Sequence, residues 1–204
     1  MKDEQKNDTK ETILENAISL FASKGYDGVG VQEICTVSNI TKPTLYYYFS
    51  SKSGLLNAIV STFGENFYST LKNACDYNHD FIGSLTKILT STIEFAKQNP
   101  YFFTLHCSLT NASSQSEGGQ IYFSFSKRIE ELFIDFFGKS VNEIGNMKGK
   151  EKLFAKMFQK VCMSTAQEIS NEKSANEDSS NSNQDLNQIS YTIIRAFAYG
   201  VVNG

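Results

Sequence analysis

Three consecutive phenols, Tyr46 to Tyr48, stand in the stretch "TKPTLYYYF", Thr41 to Phe49, which otherwise looks like a short helix to be buried. A tyrosine hydroxyl donates and accepts at the end of an apolar ring, so it can rest on a surface and still reach outward. On a helix capped by Thr41, at about 100° per residue, Leu45 and Phe49 share one face, while Pro43, Thr44 and Tyr47 lie opposite. Tyr46 and Tyr48 flank that opposite face. One side packs and the other is presented. Such a helix fits the DNA major groove, where base edges are read from the central face and phosphates accept from donors on either side. Lys42 opens this helix and Lys52 opens the next, each beside N–H groups that attract a phosphate. The formal net charge of -3 argues against a binder led by global electrostatics, yet from Ile34 to Gly64 there are lysines and no Asp or Glu. The local charge restores nucleic acid as a partner.

Other reactive side chains suggest less. His106 and Cys107 are adjacent, but neighbours on a helix point about 100° apart, so a nucleophile and its base would not face each other. His79 sits in "DYNHD" beside two acids, which a surface turn explains as well as a metal site does, and no second His or Cys stands at ligand spacing. The four cysteines, Cys35, Cys75, Cys107 and Cys162, form no CxxC and read as reduced thiols in a cytoplasm. Neither a glycine-rich phosphate loop nor a catalytic signature is present, so no cofactor, metal or enzymatic activity is expected.

The elements that position these residues are helical. Only Pro43 and Pro100 interrupt 204 residues, and no apolar run approaches the roughly 18 residues of a transmembrane helix. Ile13, Leu14, Ala17, Ile18, Phe21 and Ala22 mark a first helix, with Asp8 and Glu11 as its cap and Gly25 as its stop. Val31–Ser38 and the Thr41 helix, joined by Asn39 and Ile40, read as helix-turn-helix. Ser51 caps a longer helix, with a stripe of Leu55, Leu56, Ile59, Val60, Phe63 and Phe67 running toward Leu71, expected to connect two bodies. Ile82, Leu85, Leu89, Thr92, Ile93 and Ala96 mark another, followed by a short aromatic helix from Tyr101 and a polar loop over Thr110–Gly119.

Two more stripes follow, Tyr122 to Phe136 and Leu153 to Cys162. The segment Asn171–Gln184 is too polar to bury and is expected to be mobile. The last helix carries Ile189, Ile193, Ala196, Phe197 and Val201. It stops at Gly204 while still apolar, an expectation that the native chain continues.

The run "AISLFASKGYDGVGVQEICTVSNITKPTLYYYFSSKSGLLNAIV" resembles the DNA-binding domain of the tetracycline-repressor (TetR/AcrR) family over about residues 9 to 60. It carries the "LF...GY" end of helix one, the "V.EI" of helix two, "I.KPTLYYYF", and the "SK..LL" start of helix four. The resemblance implies groove or phosphate contacts from Gln32, Thr41, Lys42, Pro43, Thr44, Tyr46, Tyr47, Tyr48 and Lys52. Val29 and Gly30 stand where the family has Thr or Ser before helix two, which removes a capping hydroxyl. Val37 and Ser38 replace its usual Ala-Gly.

The resemblance further implies an effector cavity in the aromatic second part. Phe63, Phe67, Phe95 and Phe102 are candidate walls, and His106 and Tyr122 candidate polar members. The expected architecture is all-α: an N-terminal three-helix helix-turn-helix domain over 1–52, followed by a larger helical effector-binding and dimerisation domain over 53–204. The expected function is a ligand-responsive regulator, a homodimer on double-stranded operator DNA, released by a small and largely apolar molecule. The alternative is an all-helical carrier or enzyme with an architectural helix-turn-helix, but a carrier has no reason to present the "KPTLYYYF" surface.

Overall fold

A computed structural model of the chain describes residues 2–144, 147–175 and 182–202. Among these the secondary structure is helical throughout: α1 (Lys2–Lys24), α2 (Val31–Val37), α3 (Lys42–Phe49), α4 (Lys52–Ile59), a wide π turn (Val60–Gly64), α5 (Glu65–Ala74), α6 (Phe81–Gln98), α7 (Pro100–Thr110), α8 (Glu117–Ser140), a 3-10 turn (Val141–Glu143), α9 (Glu151–Ala175) and α10 (Ser182–Val202). No helix among the described residues is long and apolar enough to cross a membrane. The chain divides into two compact units, Met1–Asn66 with Tyr101–Ser126, and Phe67–Pro100 with Lys127–Gly204.

The core of the first unit follows the expected stripes. Ile13, Leu14, Ala17, Ile18 and Phe21 of α1 are buried with Ile34 of α2, Leu45 and Phe49 of α3, and Leu55, Leu56 and Ile59 of α4. In the second unit α6 packs on α9 and α10. Ser170 Oγ there donates to the Ala96 carbonyl at 3.1 Å, so a buried hydroxyl is satisfied across two helices.

Several expectations change. Helix α1 begins at Lys2, so Asp8 lies inside it and accepts from Thr12 Oγ1 through its carbonyl instead of capping an end. The long helix from Ser51 is not one regular rod: it widens over Val60–Gly64, where one extra residue is accommodated in the turn. On α6, Ile82 is exposed and Phe81 takes the buried position, because Asp80 caps the helix through its bond from Gly83 N and so sets the register. The polar loop ends three residues early, since Gly118 and Gly119 belong to the first turn of α8.

On α9, Phe158 and Cys162 are buried while Leu153 and Met157 are exposed. On α10 the buried face is Ser190, Ile194 and Ala198, so Ile189 points outward. The polar segment Asn171–Gln184 is helical at both ends, in α9 to Ala175 and in α10 from Ser182, and the part between, like Gly204, lies outside the described residues.

Candidate nucleic-acid interface and effector cluster

The turn between α2 and α3 is closed by its own backbone. Asn39 adopts φ 51°, its N–H donates to Thr36 O at 3.2 Å, and the Ile40 N–H donates to Cys35 O at 3.0 Å. This pair of bonds satisfies carbonyls at a helix C-terminus, and Asn tolerates the left-handed conformation. Ser38 is buried in place of the family's glycine, within 3.4 Å of Asn16 Nδ2. Gly30 caps α2 without any side-chain bond. Thr41 then caps α3, accepting from Thr44 N at 3.4 Å and sharing a hydroxyl bond of 2.9 Å with Thr44 Oγ1. Pro43 follows at a position where its missing N–H costs nothing.

The capped helix has the predicted two faces. Leu45 and Phe49 are buried, while Tyr46 and Tyr47 are 46% and 68% exposed. Tyr48 is half-buried, its ring edge-on to Tyr47 at 5.2 Å and tilted against Phe49 at 6.1 Å. Gln32, Thr41, Lys42 and Pro43 are exposed and Thr44 is half-buried. The hydroxyls of Tyr46 and Tyr47 thus stand on a surface whose backing is fixed by the core.

Lys52 is held more tightly than a surface lysine. Its Nζ donates to the carbonyls of Tyr26 and Val29, each at 3.1 Å, and lies 4.2 Å from the centroid of the Tyr26 ring. Two of its three N–H donors are used there. Ser51 caps α4 by accepting from Gly54 N at 2.9 Å. Gly54 is obligatory at that position, since a Cβ would fall 1.9 Å from the Phe49 carbonyl oxygen.

Of the six candidate cavity residues, four assemble in the first unit. The Phe63 and Phe102 rings stack at 6.0 Å, and Phe102 stacks on His106 at 6.5 Å. His106, 1% exposed, shares a 2.8 Å hydrogen bond between Nδ1 and the Tyr122 hydroxyl. Burial, with Cys107 adding in the same direction, pushes the Tyr122 phenol's pKa well up and keeps it protonated. Phe103 and Phe125 complete the cluster, at 5.9 and 6.3 Å from the His106 ring. Gly64 of the π turn meets Phe125, whose Cζ would lie 3.1 Å from a Cβ there. Phe67 and Phe95 belong to the second unit, where their rings pack at 4.7 Å. Among the described residues no group of three His, Cys, Asp or Glu is placed to hold a metal ion.

Sequence reasoning missed Tyr26. It is buried against Phe21, beneath Lys52 and beside Gly118. The available signal was a single aromatic residue inside the glycine-rich turn "GYDGVG".

Comparison with known proteins gives the chain's relatives. Residues 13–59, from α1 to the end of α4, match the family model described as "Bacterial regulatory proteins, tetR family". The chain is 39% identical over 66 residues to the probable HTH-type transcriptional regulator YttP of Bacillus subtilis (strain 168), covering 32% of each protein. It is 30% identical over 133 residues to IcaR of Staphylococcus aureus (strain Newman), the HTH-type negative transcriptional regulator of the biofilm operon icaADBC, covering 61% of this chain and 69% of IcaR. The fold is shared with the transcriptional regulator FadR from Bacillus subtilis, solved in complex with stearoyl-CoA, at TM-score 0.69 and 15% identity over 94% of this chain and 98% of that one. These relatives are transcriptional regulators and not enzymes. With an α2–α3 pair that matches the family's reading head and a relation to IcaR that runs well beyond it, the chain belongs to the TetR family of bacterial transcriptional regulators.

Proposed function

We propose that the chain is a cytoplasmic, homodimeric repressor that binds double-stranded operator DNA through residues 1–52 and is released from it by a small, largely apolar effector bound within residues 53–204. The observation that carries the reading is the Thr41-capped α3, which buries Leu45 and Phe49 and turns Tyr46 and Tyr47 outward. Base edges would face Tyr47, Pro43 and Thr44. Phosphates would meet Gln32, Thr41, Lys42, Tyr46, Tyr48 and the remaining donor of Lys52. Repression is supported by the likeness to IcaR, a negative regulator.

The effector reading rests on the cluster of Phe63, Phe102, His106 and Tyr122, an apolar wall with one polar pair inside. The stearoyl-CoA held by FadR makes acyl chains the first class to test. Phe67 and Phe95 would serve only as a second apolar surface. Coupling would follow α4, which starts at Lys52 and runs into the π turn that carries Phe63. A ligand that displaces Phe63 tilts α4, and two recognition helices matched to a fixed groove spacing cannot both stay docked. Effector and DNA binding should then oppose each other by about 1 to 3 kcal/mol.

Gel shift against the chain's own upstream DNA tests the first half. Titrating stearoyl-CoA and free stearate into that complex, followed by fluorescence anisotropy of the labelled DNA, tests the second. Release is expected. Ligands that stabilise the free protein but never release DNA would overturn induction.

A further inference from the structure

Gly118 and Gly119 look like loop residues, yet they form the first turn of a long helix, and the reason is close approach. A Cβ on Gly118 would lie 2.8 Å from Tyr26 Cδ1 and 2.9 Å from Leu109 Cδ2. One on Gly119 would lie 2.3 Å from the Ser113 carbonyl oxygen. Glycine at 118 lets the head of α8 press against the Tyr26 ring, and Gly118 N reaches toward Asp27 Oδ1 at 3.5 Å.

The same ring lies beneath the Lys52 ammonium, which also grips the Tyr26 and Val29 carbonyls. Four residues beyond Gly118, on the same face of α8, stands Tyr122 with its bond to His106. The Tyr26 hydroxyl is buried without a well-formed hydrogen bond, although the Glu117 carboxylate is near enough to act on it. The ring itself is packed against Phe21 and Gly118 beneath the Lys52 ammonium.

We infer that Tyr26 is a latch, a positioning residue through which DNA at Lys52 and the aromatic cluster around Tyr122 act on each other by way of the head of α8. The inference rests on the DNA-binding reading of Lys52 and adds a route separate from the π turn. A phosphate that takes the third donor of Lys52 fixes the ammonium, the ammonium fixes the ring, and the ring fixes Gly118. Ordering then passes along one helical turn to Tyr122. In the opposite direction, a ligand that displaces Tyr122 pulls the α8 head from the ring and loosens Lys52.

The test needs no effector. Peptide-level hydrogen exchange is followed over residues 117–122 of the full-length protein, free and saturated with a duplex enriched by that protein from a random-sequence pool. Because coupling is reciprocal, DNA should slow exchange there about fivefold or more. Tyr26→Phe keeps the ring under Lys52 and against Gly118, and should keep the response. Tyr26→Leu should lose it while still folding, and Gly118→Ala should weaken DNA binding about fivefold by holding the α8 head away.

Wild-type protein that binds the duplex with unchanged exchange at 117–122 would overturn the latch and leave the DNA reading intact. Failure to enrich any duplex would overturn the DNA reading and the latch with it. If Gly118→Ala does not fold, the wild-type exchange and the contrast between Phe and Leu at position 26 decide.

Discussion

The Tyr46 hydroxyl serves no packing role: Leu45 and Phe49 already fill the core side of α3, and Tyr46 stands on its flank. Tyr46→Phe should weaken DNA binding by about 1 kcal/mol across all sequences, as loss of one phosphate hydrogen bond does, and leave the thermal melt unchanged. Anisotropy titrations with specific and unrelated duplexes check this. A loss confined to the specific duplex would make Tyr46 a base reader. The thiols separate on the same principle of burial. Burial above all, then Asp135, pushes Cys75 up to about 12 against the pull of Lys87 and Lys139, and burial raises Cys162 well above the usual thiol range. At pH 8 Cys75 is then a thiolate about one time in ten thousand, Cys162 is shifted in the same direction, and the thiolate is the nucleophile. Iodoacetamide followed by mass spectrometry should therefore modify half-buried Cys107 of the native protein first and spare Cys75 and Cys162. Modification of Cys75 at a rate matching Cys107 would mean that the second unit opens readily.

At the scale of elements, local rules placed α2 to α4 because each boundary has a chemical cause in the sequence: Asn39 for the left-handed turn, Thr41 and Ser51 as caps, and Pro43 in a first turn. Gly54 joins them. Its replacement by Ala drives a Cβ into the Phe49 carbonyl, so urea denaturation should show a loss of about 1–3 kcal/mol from overpacking. An unchanged midpoint would mean that the α3–α4 corner adjusts freely. Where close approach or register decides, the sequence was silent. Gly118 and Gly119 suggest a loop until Tyr26 and the Ser113 carbonyl are in place beside them. The π turn left no mark in the periodicity, since Ile59, Phe63 and Phe67 keep a four-residue spacing whether or not the turn between them is widened. Phe81 and Ile82 are both large and apolar, and only the Asp80 cap chooses between them. His106 and Tyr122 were legible as polar residues among aromatic ones, but their bond joins two helices and depends on how those helices pack.

For the whole molecule, the outstanding feature is apolar surface left uncovered. On α9, Leu153 and Met157 stand one turn apart and are 57% and 49% exposed, and on α10 Ile189 and Tyr191 are exposed as well. A soluble chain rarely leaves such side chains on neighbouring turns to water unless something covers them. A second copy is the occupant that the DNA reading calls for, because a two-fold pair presents two recognition helices to half-sites about one helical turn of DNA apart. The prediction is that the wild-type chain is a dimer by light scattering at micromolar concentration. Leu153→Lys combined with Ile189→Lys should be a folded monomer, since both positions are already exposed in one chain and lysine there disturbs no core. That monomer should retain contact with a single half-site but lose about a hundredfold in affinity for the paired site, the gain that linking two binding modules confers. A double variant that stays dimeric would place the interface on another surface. A wild-type chain that is monomeric under the same conditions would rule out a dimer built on these helices, and with it the groove-spacing route by which an effector would release DNA.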